Sequence, residues 1–410
     1  MNIAFLVGEF PSLSETFILA QITGLIDRGH NVVIYAEQPA KTDKVHPDVE
    51  KYRLLDRTHY YPKLPANYLL RLLRGLWLFM LNCFRNPTVL IRSLNYFQFN
   101  QLAVSLRGLY LTIPFIQKNL KYDIIHCHFG NIGVRGLFLK KIGAISGSLV
   151  TTFYGYDINV IPLNNKNVYQ ELFQEGDLFI GISSFIVNKA KDLGCPEEKI
   201  LKLPLGVSCS NYRFRQRILG VNELIKIISV ARLVEKKGLE YSIRAVAKIA
   251  RSHPNLLYRI VGDGTLRESL HDLVVELEME QTIHLLGWKT KDEVRELYDD
   301  SHLFVLSSVT AANGDKEGQG LVLQEAQAMG LPVLATLHNG FPDSVLDGKS
   351  AFLVPERDVD TLAEKLDFLV EHPAMWSEMS EAGRTFVEAN FDVDKLNDRL
   401  VDIYSKFLFK

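Results

Sequence analysis

Cysteine is scarce in this chain, and the four present (Cys83, Cys127, Cys195, Cys209) never fall at C-x-x-C spacing. That excludes a zinc ribbon and a dithiol redox motif, and it leaves no disulfide framework, so a reducing compartment is expected. Long apolar runs are missing too: no uncharged stretch reaches the roughly 18 residues of a membrane-spanning helix. The opening residues lack a basic leader segment and meet an acid at Glu9, so they read as a first buried strand, and a cytoplasmic location is expected. A net charge of −2 gives no reason to expect nucleic acid as a partner. Also absent is a full G-x-G-x-x-G fingerprint followed about 20 residues later by an acid, which argues against a nicotinamide oxidoreductase.

What is present is alternation. At 410 residues the chain calls for two or three domains. Short apolar runs at 2–7, 31–36, 123–126, 149–152 and 177–181 read as strands, with helices at 14–28, 131–142 and 183–193. A polar, basic linker follows Leu203-Pro204-Leu205-Gly206-Val207. The pattern then restarts, with strands at 224–230, 256–261, 281–285, 302–306 and 332–335, each expected to lead into a helix, and two closing helices at 374–389 and 394–408. Such alternation specifies α/β architecture: two Rossmann-like parallel-sheet domains in tandem, whose carboxyl edges are expected to face a cleft. The expected division is 1–205, 206–390, and a C-terminal helix at 391–410 packing back toward the first domain.

Residues 57–122 depart from this rhythm, with nine Lys or Arg, no Asp or Glu, and many aromatics. They are expected to form a helical insertion in the first domain. Because apolar residues around Leu69–Trp77 run nearly all the way round a helix, burial against the sheet is favoured, with arginines reaching solvent. An interfacial helix on a membrane is the alternative.

Three motifs carry chemistry. Glu317-Gly318-Gln319-Gly320-Leu321 opens a helix that contains Glu325. The glycines permit close backbone approach, the helix start offers free N–H groups to an anion, and carboxylates suit diols. Eight residues of helix would place Glu325 on nearly the same face as Glu317. In Val230-Ala231-Arg232-Leu233-Val234-Glu235-Lys236-Lys237-Gly238, Arg232 and Lys237 would flank a helix start, a natural diphosphate pocket. Gly262-Asp263-Gly264 forms half a dinucleotide turn.

In this order and spacing the motifs resemble those of retaining glycosyltransferases of family 4, which adopt the GT-B fold, and the likeness covers essentially the whole chain. It implies that Glu325 holds the donor ribose, and that Arg232 and Lys237 meet the diphosphate. Glu317 with the amides of Gly318, Gln319, Gly320 and Leu321 would face the transferred sugar, near Gly262 and Gly264, while Gly287-Trp288 would lie by the base. In the first half, the opening loop Phe10-Pro11-Ser12-Leu13-Ser14-Glu15-Thr16-Phe17 resembles the exopolysaccharide branch of that family, though it has Gly8 without the paired glycines of some relatives. So does His126-Cys127-His128-Phe129, with His128 nearest the reacting sugar. Phe153-Tyr154-Gly155-Tyr156-Asp157 has Tyr154 where many relatives carry histidine. His128, Glu317, Arg232 and Lys237 are the catalytic candidates. Gly8, Ser14, Glu15, Thr16, His128, Tyr154 and Asp157 are expected near acceptor or sugar.

Two D-x-D sequences, Asp358-Val359-Asp360 and Asp392-Val393-Asp394, both precede amphipathic helices and read as caps rather than metal ligands. The expectation is therefore a metal-free, cofactor-free transfer, and the family resemblance implies a hexose from a UDP-sugar, UDP-glucose first among candidates. The acceptor would be a glycan or polyprenyl-linked sugar, with peripheral contact at the inner face of a membrane. The competing readings are a sugar-nucleotide epimerase of the same architecture and a non-catalytic nucleotide-sugar-binding protein.

Overall fold

The computed structural model describes residues 1–12, 15–40, 45–116 and 120–408. The chain divides into two compact units, one of residues 1–181, 187–203 and 397–410, the other of residues 182–186 and 204–396.

In the first unit seven strands form one sheet: β1 (Asn2–Glu9), β2 (Asn31–Gln38), β3 (Thr58–Tyr60), β4 (Lys121–His128), β5 (Ser146–Phe153), β6 (Leu178–Gly181) and β7 (Ile200–Lys202). The sheet order is β3-β2-β1-β4-β5-β6-β7, and every pairing is parallel. β1 is buried without a break from Ile3 to Val7, the pattern of a strand covered by helices on both faces. The strand order reverses between β1 and β4, so the carboxyl ends of these two neighbours are where ligands of such sheets bind. Gly8 and His128 sit at those ends.

The second unit repeats the plan with six strands: β8 (Ile225–Val230), β9 (Leu256–Val261), β10 (Ile283–Gly287), β11 (Leu303–Leu306), β12 (Val333–Thr336) and β13 (Ala351–Val354). Their order is β10-β9-β8-β11-β12-β13, again all parallel. Here the order reverses between β8 and β11. One core joins Ile227, Ile243, Tyr258, Phe304, Leu334, Leu366 and Trp376.

The expected alternation and the observed elements differ in three places. β3, β7 and β13 are edge or near-edge strands of three or four residues, too short to show a period. β12 passes to β13 through turns at 337–350 instead of a helix, and the space on that flank is taken by the helix Val359–Glu371 after β13. The third difference is in the insertion. The helix Tyr68–Asn82 buries only Gly75, Leu78 and Asn82, so apolar residues all round it do not signify burial on all sides.

The last helix, Val393–Leu408, contributes residues 397–410 to the first unit. Asn397 lies against Gly24, where a Cβ would come within 2.0 Å of its amide nitrogen, and Arg28 pairs with Asp398 at 2.7 Å.

Candidate active site

At the carboxyl edge of the second sheet, the loops after β8, β9 and β11 hold one another. Gly238 adopts φ +58 as the residue before the helix Leu239–Ala250, and a Cβ there would lie 1.9 Å from the Ser307 carbonyl oxygen. Only glycine satisfies both the left-handed backbone and that approach. Ser307 Oγ donates to the Gly238 carbonyl (2.6 Å), and the Ala312 N–H donates to Glu235 (2.8 Å). Gly262 is equally constrained, at φ +137 and with a Cβ there falling 1.9 Å from the Ala231 carbonyl oxygen, and its N–H donates to Gly287 (2.9 Å). Gly264 packs on the Leu233 backbone. These close approaches bring Arg232, Gly262, Gly264 and Gly287 to one edge. Trp288, next in line, is 59% exposed.

The two cations of the β8 loop have different surroundings. Lys237 is buried and its Nζ pairs with Glu317 at 2.5 Å. Arg232 is exposed and has no side-chain partner among the described residues. Burial disfavours the charged form of Glu317, yet Lys237 and Lys236 outweigh it and hold the carboxyl down to about 2. Glu317 is therefore ionised at any working pH, and its charge steadies a buried lysine.

Sequence reasoning missed the support beneath Glu317. His338 is fully buried; its Nε2 accepts from the Glu317 N–H (3.0 Å) and its Nδ1 donates to Glu356 (2.5 Å). An imidazole between an N–H and a carboxylate is held as the Nδ1–H tautomer. The available signal was Leu337-His338-Asn339-Gly340, a polar turn straight after an apolar strand. Gly318 is fixed through its carbonyl, which accepts from Ser183 Oγ (2.8 Å). Gln319 is spent on structure, since its side chain makes two hydrogen bonds with the Leu205 backbone (2.7 and 2.8 Å). That leaves the main chain of 318–320 to meet a ligand.

Gly320, at φ +78, precedes the helix Leu321–Ala328, while Leu321 packs against Val207 and Phe391. Because that helix begins at Leu321, the eight-residue periodicity expected to align Glu317 with Glu325 spans only the last four of those steps. The two acids have different neighbours. Glu325 faces Tyr298, whose OH lies 3.4 Å away, and Tyr212. Burial raises its pKa, opposed by the hydrogen bonds from Tyr212 and Tyr298 and the charges of Lys291 and Arg295. A carboxylate with phenol donors on one side can still accept hydroxyls on the other.

In the first unit a polar chain crosses β4 and β5. His126 and His128, two residues apart, share a face of β4 and stack at 4.3 Å between centroids. Among the described residues the Tyr404 hydroxyl has one partner, His126 Nδ1, at 2.6 Å, so the buried phenol proton goes there. His126 then carries its own proton on Nε2 and donates to Thr152 Oγ1 (2.7 Å). Thr152 passes a hydrogen bond to Tyr154, and the Tyr154 hydroxyl reaches His128 Nδ1 at 2.6 Å. The sequence of donors ends on His128 Nε2–H, a buried polar group with no hydrogen-bond partner among the described residues. Burial keeps both rings neutral: His126 is lowered to about 3, and His128 falls well below the usual range, with His126 adding to the effect.

The neighbouring candidates fall into two groups. Asp157 accepts from the N–H groups of Gly130 (2.9 Å), Tyr154 (3.1 Å) and Gly155 (2.9 Å), so it shapes the turn after β5 and the start of the helix Gly130–Lys141. Glu15 has one carboxylate oxygen buried without a hydrogen-bond partner among the described residues; burial, with Glu9 behind it, pushes its pKa up to about 7. Thr16 opens the helix Thr16–Asp27, and the next residue, Phe17, contacts Tyr154 at 4.8 Å. Gly8 has open space where a Cβ would stand. Ser14 lies outside the described residues.

Residues 212–386, which include every second-unit candidate, match the family model of glycosyl transferases group 1. Over 411 aligned residues the chain is 34% identical to a protein of Salmonella typhimurium named as the colanic acid biosynthesis glycosyltransferase WcaL, covering 98% of this chain and 99% of that one. The chain belongs to the group 1 glycosyltransferases. Within them it falls in the exopolysaccharide branch: the amylovoran biosynthesis glycosyltransferase AmsK of Erwinia amylovora is 31% identical, with 99% and 100% of the two chains covered. The fold is GT-B. Anabaena HepE in complex with UDP and glucose superposes with a TM-score of 0.72, at 18% identity and 99% and 100% coverage.

The glycosyltransferase thus presents cations, glycine turns and helix starts at one sheet edge, and a histidine-tipped hydrogen-bond chain at the other. Its two D-x-D sequences serve helix starts. Asp358 accepts from the Thr361 N–H (3.0 Å), and Asp392 from those of Asp394 and Lys395 (3.1 and 3.3 Å).

Proposed function

We propose that this glycosyltransferase moves a hexose from a UDP-sugar, UDP-glucose the first candidate, to a glycan or polyprenyl-linked acceptor at the inner face of a membrane. The reaction proposed is metal-independent and keeps the anomeric configuration. The observation that carries the donor side is the buried Lys237–Glu317 pair beside exposed Arg232 at the helix start of Leu239. Because Glu317 already balances Lys237, Arg232 is the cation left to meet the diphosphate, with Lys237 and helix N–H groups adding positive potential behind it. Preorganised donors of this kind contribute roughly 3–4 kcal/mol each to a developing anion, enough to stand in for a divalent ion.

In this reading Glu325 accepts the ribose hydroxyls and the Gly318–Gly320 main chain meets the sugar. The bond from C1 to the diphosphate oxygen breaks while the acceptor oxygen bonds to C1 on the same face. The acceptor proton passes to the departing phosphate, so no protein nucleophile is required. His128 Nε2–H is the first unit's donor for a hydroxyl of the reacting sugar. The structure of Anabaena HepE is a complex with UDP and glucose, which favours a uridine donor here by analogy of fold only.

The test is a thermal-shift screen over UDP-glucose, UDP-galactose and GDP-mannose with and without EDTA, followed by NMR of the product's anomeric centre. Stabilisation by a UDP-sugar in EDTA and a product of unchanged configuration are expected. Stabilisation that requires magnesium would contradict the metal-free account, and inversion would contradict the same-face step. Release of a free epimer without acceptor would favour the epimerase reading.

A further inference from the structure

We propose that the helix Tyr68–Asn82, with Phe84 just beyond it, docks the enzyme on an anionic lipid surface, its outer face in the acyl boundary and nearby arginines at the headgroups. The proposal rests on the lipid-linked acceptor above for its purpose, but on separate observations for its location. The helix meets the rest of the protein along one stripe. A Cβ at Gly75 would stand 3.5–3.6 Å from Leu106, Leu109 and Tyr110, and Leu78 and Asn82 continue that stripe. Arg71 belongs to it as well, donating to the carbonyls of Pro65 (2.9 Å), Ser105 (3.2 Å) and Ala66 (3.3 Å).

Phe79 packs beside this stripe against Leu90, Leu109 and Ile116, and the rest of the helix is turned out and apolar apart from Arg74. Leu69 is 63% exposed, Leu73 57%, Leu76 56%, Trp77 54%, Met80 53% and Phe84 90%. A helix that faces water on its wide side carries charge there; this one inverts the rule. An exposed apolar face of this extent marks an interaction surface. The helix has 15 residues, about 22 Å at 1.5 Å per residue, too short to cross a bilayer but suited to lying in its interface.

Charge selects the occupant. The segment 57–122 holds nine Lys or Arg and no acid in a chain whose net charge is −2. Arg74, Arg85, Arg92 and Arg107 are exposed, and Arg74 lies on the stripe of Leu70, Trp77 and Leu81. An apolar face in a segment that carries cations and no carboxylate of its own complements a bilayer whose headgroups are negative. A second copy of this chain would bring the same exposed arginines against these.

The experiment is vesicle co-sedimentation of the full chain with phosphatidylcholine alone and with phosphatidylglycerol added. Leu73→Glu/Trp77→Glu is the first variant and Arg74→Gln/Arg85→Gln/Arg107→Gln the second. Thermal stabilisation by UDP serves as the folding control for each. The expected result is binding of the wild type to anionic vesicles that falls about tenfold or more in both variants, with UDP stabilisation kept. The proposal is overturned if the wild type binds both vesicles equally or neither, or if the variants bind as the wild type does. It is also overturned if light scattering shows a wild-type dimer that Leu73→Glu/Trp77→Glu makes monomeric. If the first variant does not fold, the second decides alone. Sugar transfer to a water-soluble acceptor is read separately, so loss of docking and failure of the proposed reaction give different results.

Discussion

Glu317 is the residue whose chemistry is most constrained by its surroundings. In the folded protein its carboxyl is held down to about 2, below the usual 4.5, by Lys237 and Lys236. A carboxyl lowered on folding contributes stability that is fully present above its unfolded pKa and is lost as pH falls through the folded one. The window is therefore pH 4.5 down to 2, and the contribution is on the order of 3 kcal/mol. Melts of wild type and Glu317→Gln from pH 6 to 3 should converge as pH falls; parallel curves would disprove the ion pair's role. Glu15 acts with the opposite sign, because its folded pKa is raised to about 7. Glu15→Gln should gain stability relative to wild type as pH rises from 5 to 8, and an unchanged difference would count against the burial of that carboxylate. At the far end of the β4–β5 chain, Tyr404→Phe leaves His126 Nδ1 unsatisfied and should cost about 1–3 kcal/mol. Nitrogen NMR should find His128 as the Nε2–H tautomer and neutral between pH 5 and 8; a titration in that range would refute the assignment.

Among the elements, the loops after β8, β9 and β11 bear the site, and glycine sets their geometry. Gly238→Ala would strain a φ of +58 and drive a methyl into the Ser307 carbonyl, at a cost of about 3 kcal/mol. A denaturant melt of this variant that matches wild type would show that the loop can yield. These elements were legible in the sequence because each ends a strong apolar strand with a glycine turn, and the strands at 225–230, 256–261 and 303–306 stand within two residues of where the pattern put them. What was hidden lies in partners distant in sequence. Nothing local tells that Lys237 will pair with Glu317, that His338 will hold the Glu317 backbone, or that Gln319 will turn to Leu205. The helix Tyr68–Asn82 misled for a different reason: an all-round apolar pattern does not tell which stripe meets the protein, and here that stripe holds only Gly75, Leu78 and Asn82 as buried residues.

For the whole molecule, two sheets with the same reversal of strand order give two ligand edges, and each edge in this chain is furnished differently. The second carries cations, helix starts and a carboxylate held charged; the first carries a neutral histidine pair tied by Thr152, Tyr154 and Tyr404 to the last helix. This division suits a reaction in which one unit must grip an anionic leaving group while the other meets uncharged hydroxyls. The most direct measurement of that claim is calorimetric titration of UDP in EDTA into wild type, Arg232→Ala and Lys237→Ala. The wild type should bind without metal, and each variant should lose about tenfold or more in affinity, equivalent to about 1.4 kcal/mol. Undiminished binding of UDP by both variants would contradict it.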